Sequence, residues 1–235
     1  MYDRTPILQA RSLCSGYGRS QVLFDVDLTA GTTGVLAILG RNGAGKTTLL
    51  KTLVGELKPM RGNIEFDQSE ARNEPTEVRV RRGLGYVPQE DAVFGSLTVR
   101  ENLKLGAIRQ KNDGNGIDEA LALFPKLGQR LNQTAATLSG GERKMLAISR
   151  ALISKPKLLL LDEPTEGVWI GVIEEIAERL IELGRQLSIV LVEQHLEMAL
   201  RVAQTAHVLD RGRFVLGGPS AEVRDNPQLL RYLAP

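Results

Sequence analysis

Apolar and polar positions along the chain alternate in two different ways. Residues 35–39 (VLAIL) and 158–161 (LLLL) are apolar throughout, which is typical of parallel strands that are covered on both faces. Residues 188–192 have the same character, and short strands are also indicated at 63–66 and 83–87. The pattern predicts an α/β fold whose central sheet is mainly parallel.

Near the start of the chain the pattern is amphipathic. Residues 22–28 alternate apolar and polar side chains, which predicts a strand with one exposed face. Residues 7–13 form a second strand, and the turn at 15–18 joins the two as an antiparallel flank. Tyr17 in this turn has two interpretations, because an aromatic side chain can cap a hairpin or stack on a bound base.

Helices dominate the middle of the chain. Thr98 and Glu101 have the spacing of a capping box, which predicts a helix start. Glycines at 114–116 interrupt the helical pattern, and a second helix is expected from Asp118. Together these helices form a predicted insertion at about residues 92–150. Further helices are predicted at residues 46–54, 145–152, 173–181 and 219–235, and a closing hairpin at 208–216.

The nine residues after the first apolar run have the spacing of a phosphate-binding loop that leads into a helix. Glycines let the backbone wrap an anion, and the helix start adds the positive end of its dipole. Lys46 adds a charge near the β and γ phosphates, and the Thr47 hydroxyl can bind Mg²⁺. A plain glycine-rich turn is the alternative. The expected nucleotide-binding residues are Gly40, Arg41, Asn42, Gly43, Ala44, Gly45, Lys46, Thr47 and Thr48.

Polar residues that follow two of the apolar runs supply candidate chemistry. Asp162 can hold Mg²⁺, and Glu163 can orient or deprotonate an attacking water. Paired acids are often only solvated charge, but the phosphate loop earlier in the chain favours catalysis. Gln89 follows the strand at 83–87, where ligands collect in open α/β sheets, so it is either a ligand of the metal or water, or an ordinary loop residue.

A second glycine turn, Leu138-Ser139-Gly140-Gly141-Glu142, also precedes a helix. Unpaired N–H groups at such a start form another anion site. One nucleotide rarely needs two phosphate cradles. Ser139 is therefore either a simple N-cap, or part of a contact with nucleotide held by another subunit.

Composition narrows the class of protein. With 235 residues, 42% of them hydrophobic, the chain is expected to form one domain with an inserted subdomain. A net charge of +2 gives no reason to expect a nucleic-acid partner, and the basic run at 79–82 is interpreted as a solvated helix end. Cys14 is the only cysteine, which indicates a reducing compartment. Without a bilayer-length apolar run or a signal peptide, the chain is expected to be cytoplasmic.

With these motifs in order, essentially the whole chain resembles the ATP-binding subunits of ABC transporters. The Leu-Ser-Gly-Gly sequence at 138–141 carries most of that specificity. The resemblance implies an ABC ATPase fold over residues 1–235, in which a P-loop NTPase core carries the helical insertion, with ATP and Mg²⁺ as cofactors. Two ATPase domains would pair head to tail, so that residues 138–142 close on the γ-phosphate held by the partner's Lys46. The implied metal ligands are Thr47, Gln89 and Asp162.

Finer details are similar to the branched-chain amino acid and urea importer branch. These similarities are short sequence segments at residues 40–43, 123–125, 162–167 and 192–194. The segment at residues 191–197 favours urea over branched-chain amino acids. The resemblance implies a peripheral subunit on the cytoplasmic face of the plasma membrane that powers uptake of urea or a branched-chain or polar amino acid. Its partners would be transmembrane permease subunits, a second ATPase chain (a related chain is favoured, with another copy as the alternative) and, indirectly, a substrate-binding protein. The alternatives are a dimerising module with little useful hydrolysis, an exporter subunit, or a soluble ABC protein of translation or DNA maintenance.

Several positions depart from the pattern of the family. Trp169 stands near the place of an Asp that makes an intersubunit bond elsewhere, so that bond is expected to be absent. The switch histidine of many ABC proteins aligns with Gln194, while His195 lies one residue late, so the register favours Gln194 as the γ-phosphate sensor and His195 is the alternative. Glu90 and Asp91 are acidic where related subunits often carry Gly-Arg, and we hypothesise that they meet a basic coupling helix of the membrane subunit.

Overall fold

The computed structural model describes residues 5–108 and 113–233, which form ten strands and ten α-helices. The strands are β1 Leu8–Tyr17, β2 Ser20–Ala30, β3 Gly34–Leu39, β4 Arg61–Phe66, β5 Ser69–Glu70, β6 Leu84–Val87, β7 Leu158–Asp162, β8 Ser188–Glu193, β9 Thr205–Asp210 and β10 Arg213–Pro219. The helices are α1 Lys46–Val54, α2 Thr76–Arg81, α3 Val99–Ala107, α4 Asp113–Leu123, α5 Pro125–Gly128, α6 Gly140–Ile153, α7 Ile170–Gly184, α8 Leu196–Val202, α9 Ser220–Arg224 and α10 Leu229–Leu233.

The larger sheet has the strand order β10-β9-β3-β8-β7-β6, and all its pairs are parallel except β10 with β9. The parallel register places Leu39 of β3 opposite Glu193 of β8, and Asp162 of β7 opposite Val192. The carboxyl ends of β3, β8 and β7 therefore meet at one edge. This confirms the predicted parallel core.

The smaller sheet is antiparallel, with the order β2-β1-β4-β5. Its β1–β2 pairing confirms the predicted flank, but the turn at 15–18 was wrong, because β1 continues to Tyr17, which pairs with Ser20. Gly16 packs so tightly there that a Cβ would lie 2.0 Å from the Ser20 carbonyl oxygen. The close approach keeps the strands paired up to a tighter turn at Gly18, whose φ is +57°.

Apolar side chains cover both faces of the larger sheet. On β3, Val35, Ala37 and Leu39 belong to a core shared with the helices, whereas Leu36 and Ile38 belong to a core shared with α1 and the smaller sheet. The uninterrupted apolar runs noted in the sequence follow from this double coverage. Within the part of the chain that the structure describes, no helix is both long and apolar enough to cross a membrane.

The chain between β6 and β7 is helical, as predicted, and contains α3 to α6. The capping box exists, since Glu101 N–H donates to Thr98 Oγ1 (3.2 Å) and Thr98 N–H donates to Glu101 Oε2 (2.8 Å). The predicted interruption at 114–116 was wrong, because α4 already includes these glycines. Its apolar residues Ile117 and Ala120 pack in the main core, which offsets the low helix propensity of glycine.

The basic run at 79–82 was also misinterpreted. Arg79 is buried, and its guanidinium donates to the carbonyl oxygens of Thr52 (2.9 Å) and Leu53 (2.6 Å) at the end of α1. The last carbonyls of a helix lack partners within the helix, and the five donors of a guanidinium can satisfy several at once. Burial lowers the pKa of Arg79 to about 10, partly offset by Glu74. Further acceptors are the carbonyl oxygens of Ala71, Arg72 and Glu74.

Candidate functional site

The loop after β3 has the backbone that an anion cradle requires. Gly43 and Gly45 have φ values of +79° and +109°, which other residues rarely adopt, and a Cβ on Gly40 would lie 2.4 Å from the Leu209 carbonyl oxygen. Helix α1 begins at Lys46, as predicted, and no side chain caps its first turn. Its amide groups are therefore available to a ligand. The cavity at this point is lined by Val22, Asn42, Gly43, Gly45, Lys46, Thr47, Thr48, Gln89 and Glu163.

Lys46 lies buried at the centre of this site. Its ammonium group donates to the carbonyl oxygens of Gly40 (2.8 Å) and Arg41 (3.1 Å). It also forms an ion pair with Glu163, with 3.1 Å between Nζ and Oε1. The lysine of the phosphate loop and the candidate base, far apart in sequence, are thus direct neighbours.

Asp162 ends β7 and is completely buried. Neither of its carboxylate oxygens forms a hydrogen bond of normal geometry with a described residue. Burial raises the pKa of Asp162 to about 6, and the neighbouring Thr47 hydroxyl lowers it in part. Unpartnered carboxylate oxygens beside a hydroxyl form an oxygen donor set, so Asp162 and Thr47 fit a hard cation such as Mg²⁺.

Glu163 is held from several sides. Its N–H continues the sheet by donating to the Val192 carbonyl (2.9 Å), although its φ of +47° is left-handed. Its Oε2 accepts from the Gln89 amide at 3.0 Å, and the same amide reaches Glu166 Oε2 at 2.7 Å. Residues with an unfavourable backbone conformation are frequent at functional sites, where the surrounding contacts hold them in place. The structure brings Gln89, Lys46 and Glu163 together, as the strand ends suggested.

Lys144 is a site residue that the sequence reasoning missed. From the second turn of α6 it donates to the carbonyl oxygens of Gln89 (2.8 Å) and Glu163 (3.2 Å). Burial lowers its pKa, and the surrounding carboxylates, led by Glu166, partly offset this. The only sequence signal was a lysine next to the buried stretch of α6, because its partners are distant in the chain.

Residues 138–142 divide into a buried and an exposed part. Ser139 caps α6, and Glu142 completes a capping box with it and pairs with Arg130 (3.3 Å). The Ser139 N–H group lowers the pKa of Glu142. Leu138 is buried, and a Cβ on Gly141 would lie 2.8 Å from the methyl groups of Val172. Ser139 is exposed and a Cβ on Gly140 would meet nothing closer than 3.9 Å. Leu138, Ser139, Gly140, Gly141 and Glu142 lie outside the lining of the phosphate-loop cavity.

The remaining candidates lie at the periphery. Tyr17 ends β1 with 48% of its surface exposed and does not line the phosphate-loop cavity. Gln194 and His195 are both exposed after β8 and line a second cavity together with Glu163. Trp169 precedes α7 and is 72% exposed. Glu90 and Asp91 are exposed as well.

Comparison with known families agrees with this geometry. A family model described as ABC transporter matches residues 23–166. A solved ATP-binding cassette of an ABC transporter superposes with a TM-score of 0.87 at 25% identity, covering 98% of this chain and 100% of that one.

Similar sequences include subunits named for amino acid transport and for lipopolysaccharide export. The chain is 41% identical to the high-affinity branched-chain amino acid transport ATP-binding protein BraG of Pseudomonas aeruginosa, over 91% of this chain and 93% of that protein. It is 38% identical to the probable branched-chain amino acid transport ATP-binding protein LivF of Archaeoglobus fulgidus, over 94% and 95%. It is 34% identical to the lipopolysaccharide export system ATP-binding protein LptB of Escherichia coli, over 95% of each.

Proposed function

This chain belongs to the ABC transporter family, as an ATP-binding subunit whose ATP hydrolysis is coupled to transport, and we propose that it powers the uptake of branched-chain amino acids. One observation carries the catalytic part of the proposal. Glu163 stands between Lys46 (3.1 Å) and Gln89 (3.0 Å) at the edge where three parallel strands end. Ligands of open α/β sheets bind at this edge.

We assign the residues of the site the following roles. The amide groups of the phosphate loop and Lys46 hold the phosphates, and Glu163 orients and deprotonates the water that attacks the γ-phosphate in line. A γ-phosphate competes with Glu163 for Lys46, so that nucleotide binding frees the carboxylate for the water. Thr47, Asp162 and Gln89 would hold Mg²⁺, which neutralises phosphate charge when bound. Gln194 and His195 remain the candidate sensors of the γ-phosphate.

A second ATPase chain completes the site in this proposal. Ser139 is exposed and Gly140 half-buried with open space beside it, and both stand at a helix start, which supports contact with the nucleotide held by another protomer. We favour a related ATPase chain over a second copy. Closure of the pair would move the helical subdomain, about residues 92–150, and the Gln89 loop, and so reach the permease subunits at the cytoplasmic face of the membrane. A substrate-binding protein would act only indirectly.

The substrate is proposed from the relatives. The two most similar relatives named above are branched-chain amino acid transport subunits, which supports that class over urea, whose only support is the phrase at 191–197. Export is the second candidate function, since LptB shares 34% of its residues with this chain.

The proposal is tested by a transport assay with the complex that copurifies with this chain from membranes. It is reconstituted into vesicles with a substrate-binding protein, and uptake of labelled leucine and labelled urea is measured with and without ATP on the side of this subunit. We expect ATP-dependent leucine uptake in the wild type and none with Lys46→Ala. Uptake of urea alone would overturn the proposed substrate class, and a complex that transports neither inward would overturn the proposed direction.

A further inference from the structure

We infer that Glu193 is a positioning residue that holds the segment Gln194–His195 at a fixed place relative to Glu163. The inference rests on the proposed function, because it concerns the geometry of the same hydrolytic site. Glu193 ends β8, the strand that lies between the phosphate-loop strand β3 and the strand β7 that leads to Glu163.

The two carboxylate oxygens of Glu193 bind two different segments. Its Oε1 accepts from the Thr165 N–H (3.0 Å) and from the Thr165 hydroxyl (2.7 Å). Its Oε2 accepts from the backbone N–H groups of Gln194 (3.0 Å) and His195 (3.2 Å). Thr165 lies two residues after Glu163, so one side chain joins the turn that carries the base to the start of the next segment.

The environment of this carboxylate explains why all four bonds matter. Glu193 is only 2% exposed, and among the described residues no cation lies within 4 Å of its oxygens. A buried carboxylate is costly unless it is hydrogen-bonded. The four donors therefore fix its orientation, and the carboxylate in return fixes their positions.

Glu193 does not line the phosphate-loop cavity, so it acts through other residues. It does line the second cavity, together with Glu163, Gln194 and His195. A displacement of Gln194 and His195 by even 1 Å would misplace the proposed γ-phosphate sensors, and small misplacements of this kind reduce turnover without removing substrate binding. A residue that only satisfied buried amides would affect stability and leave turnover intact.

The substitution Glu193→Gln separates these roles. The carboxamide has the same shape but one acceptor oxygen, so it can retain the bonds to Thr165 only by turning its NH₂ towards the N–H groups of Gln194 and His195. We expect kcat for ATP hydrolysis to fall at least about tenfold, while KM and ATP affinity stay within about twofold. Glu193→Asp keeps both oxygens on a shorter side chain, and we expect it to restore part of kcat.

Asn102→Ala is the matched control. Asn102 is also fully buried, accepts from the Phe94 N–H (2.9 Å) and donates to the carbonyls of Phe94 and Thr98 (3.0 Å each), but it lies in α3 away from the site. We expect a comparable loss of Tm with kcat within twofold of wild type. If Glu193→Gln lowers Tm as much as Asn102→Ala and leaves kcat unchanged, or if Glu193→Asp is no more active than Glu193→Gln, the inference is overturned while the proposed function stands. A wild-type chain that does not hydrolyse ATP would instead overturn the proposed function.

Discussion

Arg79 shows how much a single side chain contributes to the support of the phosphate-loop helix. Its guanidinium satisfies carbonyl oxygens at the end of α1 and in the segment before α2. Arg79→Met leaves these buried carbonyls without a donor, and we expect unfolding in urea to show a loss of about 3 kcal/mol. The exposed neighbour Arg81 is the control, because Arg81→Met should change stability by less than about 0.5 kcal/mol. Equal effects of the two substitutions would contradict the capping role.

His207 makes stability depend on pH. It stacks on Phe214, with 4.7 Å between ring centroids, and burial lowers its pKa. The folded state then binds fewer protons than the unfolded state, so this contribution to stability is lost as pH falls through the ordinary histidine pKa. We expect the drop in Tm between pH 7.5 and pH 5.5, about one unit either side of that value, to be smaller in His207→Gln than in wild type. Parallel Tm curves for the two proteins would contradict this.

Site residues were predictable where the spacing of a motif along the chain is enough to identify its role. The phosphate loop, Asp162 and Glu163 follow apolar strands in a fixed order, so their meeting at one edge of the sheet could be expected. Lys144 and Glu193 could not be found this way, because a charged residue is recognised as part of such a site only when its distant partners are known. The same reason explains the error on Arg79.

At the scale of elements, two helices begin with the same capping box and differ in what the cap faces. Thr98 caps α3 and Ser139 caps α6, each with a glutamate three residues later. Thr98→Ala and Ser139→Ala should each cost about 1 kcal/mol of stability. Only Ser139→Ala is expected to reduce ATP hydrolysis by the assembled transporter, about tenfold, because its hydroxyl is proposed to reach nucleotide on another chain. Equal rates of ATP hydrolysis by the two variants would contradict the proposed contact with nucleotide and leave Ser139 only its role as the N-cap of α6.

Element types were predictable and several boundaries were not. Helix α1 begins and ends where its pattern indicates, since the glycine loop and Gly55 mark both ends locally. The turn after β1 and the start of α4 were misplaced because a close backbone approach and tertiary packing override local glycine signals.

At the scale of the whole molecule, the site is assembled from segments that are distant in the chain. The parallel order of β3, β8 and β7 brings the phosphate loop beside Glu163, and β6 brings Gln89 to its other side. The parallel, doubly covered character of these strands was predictable from the unbroken apolar runs, but their order in the sheet was not, because an apolar run does not indicate which strand lies beside it.

The most direct test of the account is ATP hydrolysis by the transporter complex with Glu163→Gln in place of the wild-type subunit, at a nucleotide concentration where equal ATP binding has been measured. The substitution keeps the shape of the side chain and removes the base. The account predicts bound ATP and a turnover reduced at least about a hundredfold. Turnover within twofold of wild type, with ATP bound to the same extent, would contradict it.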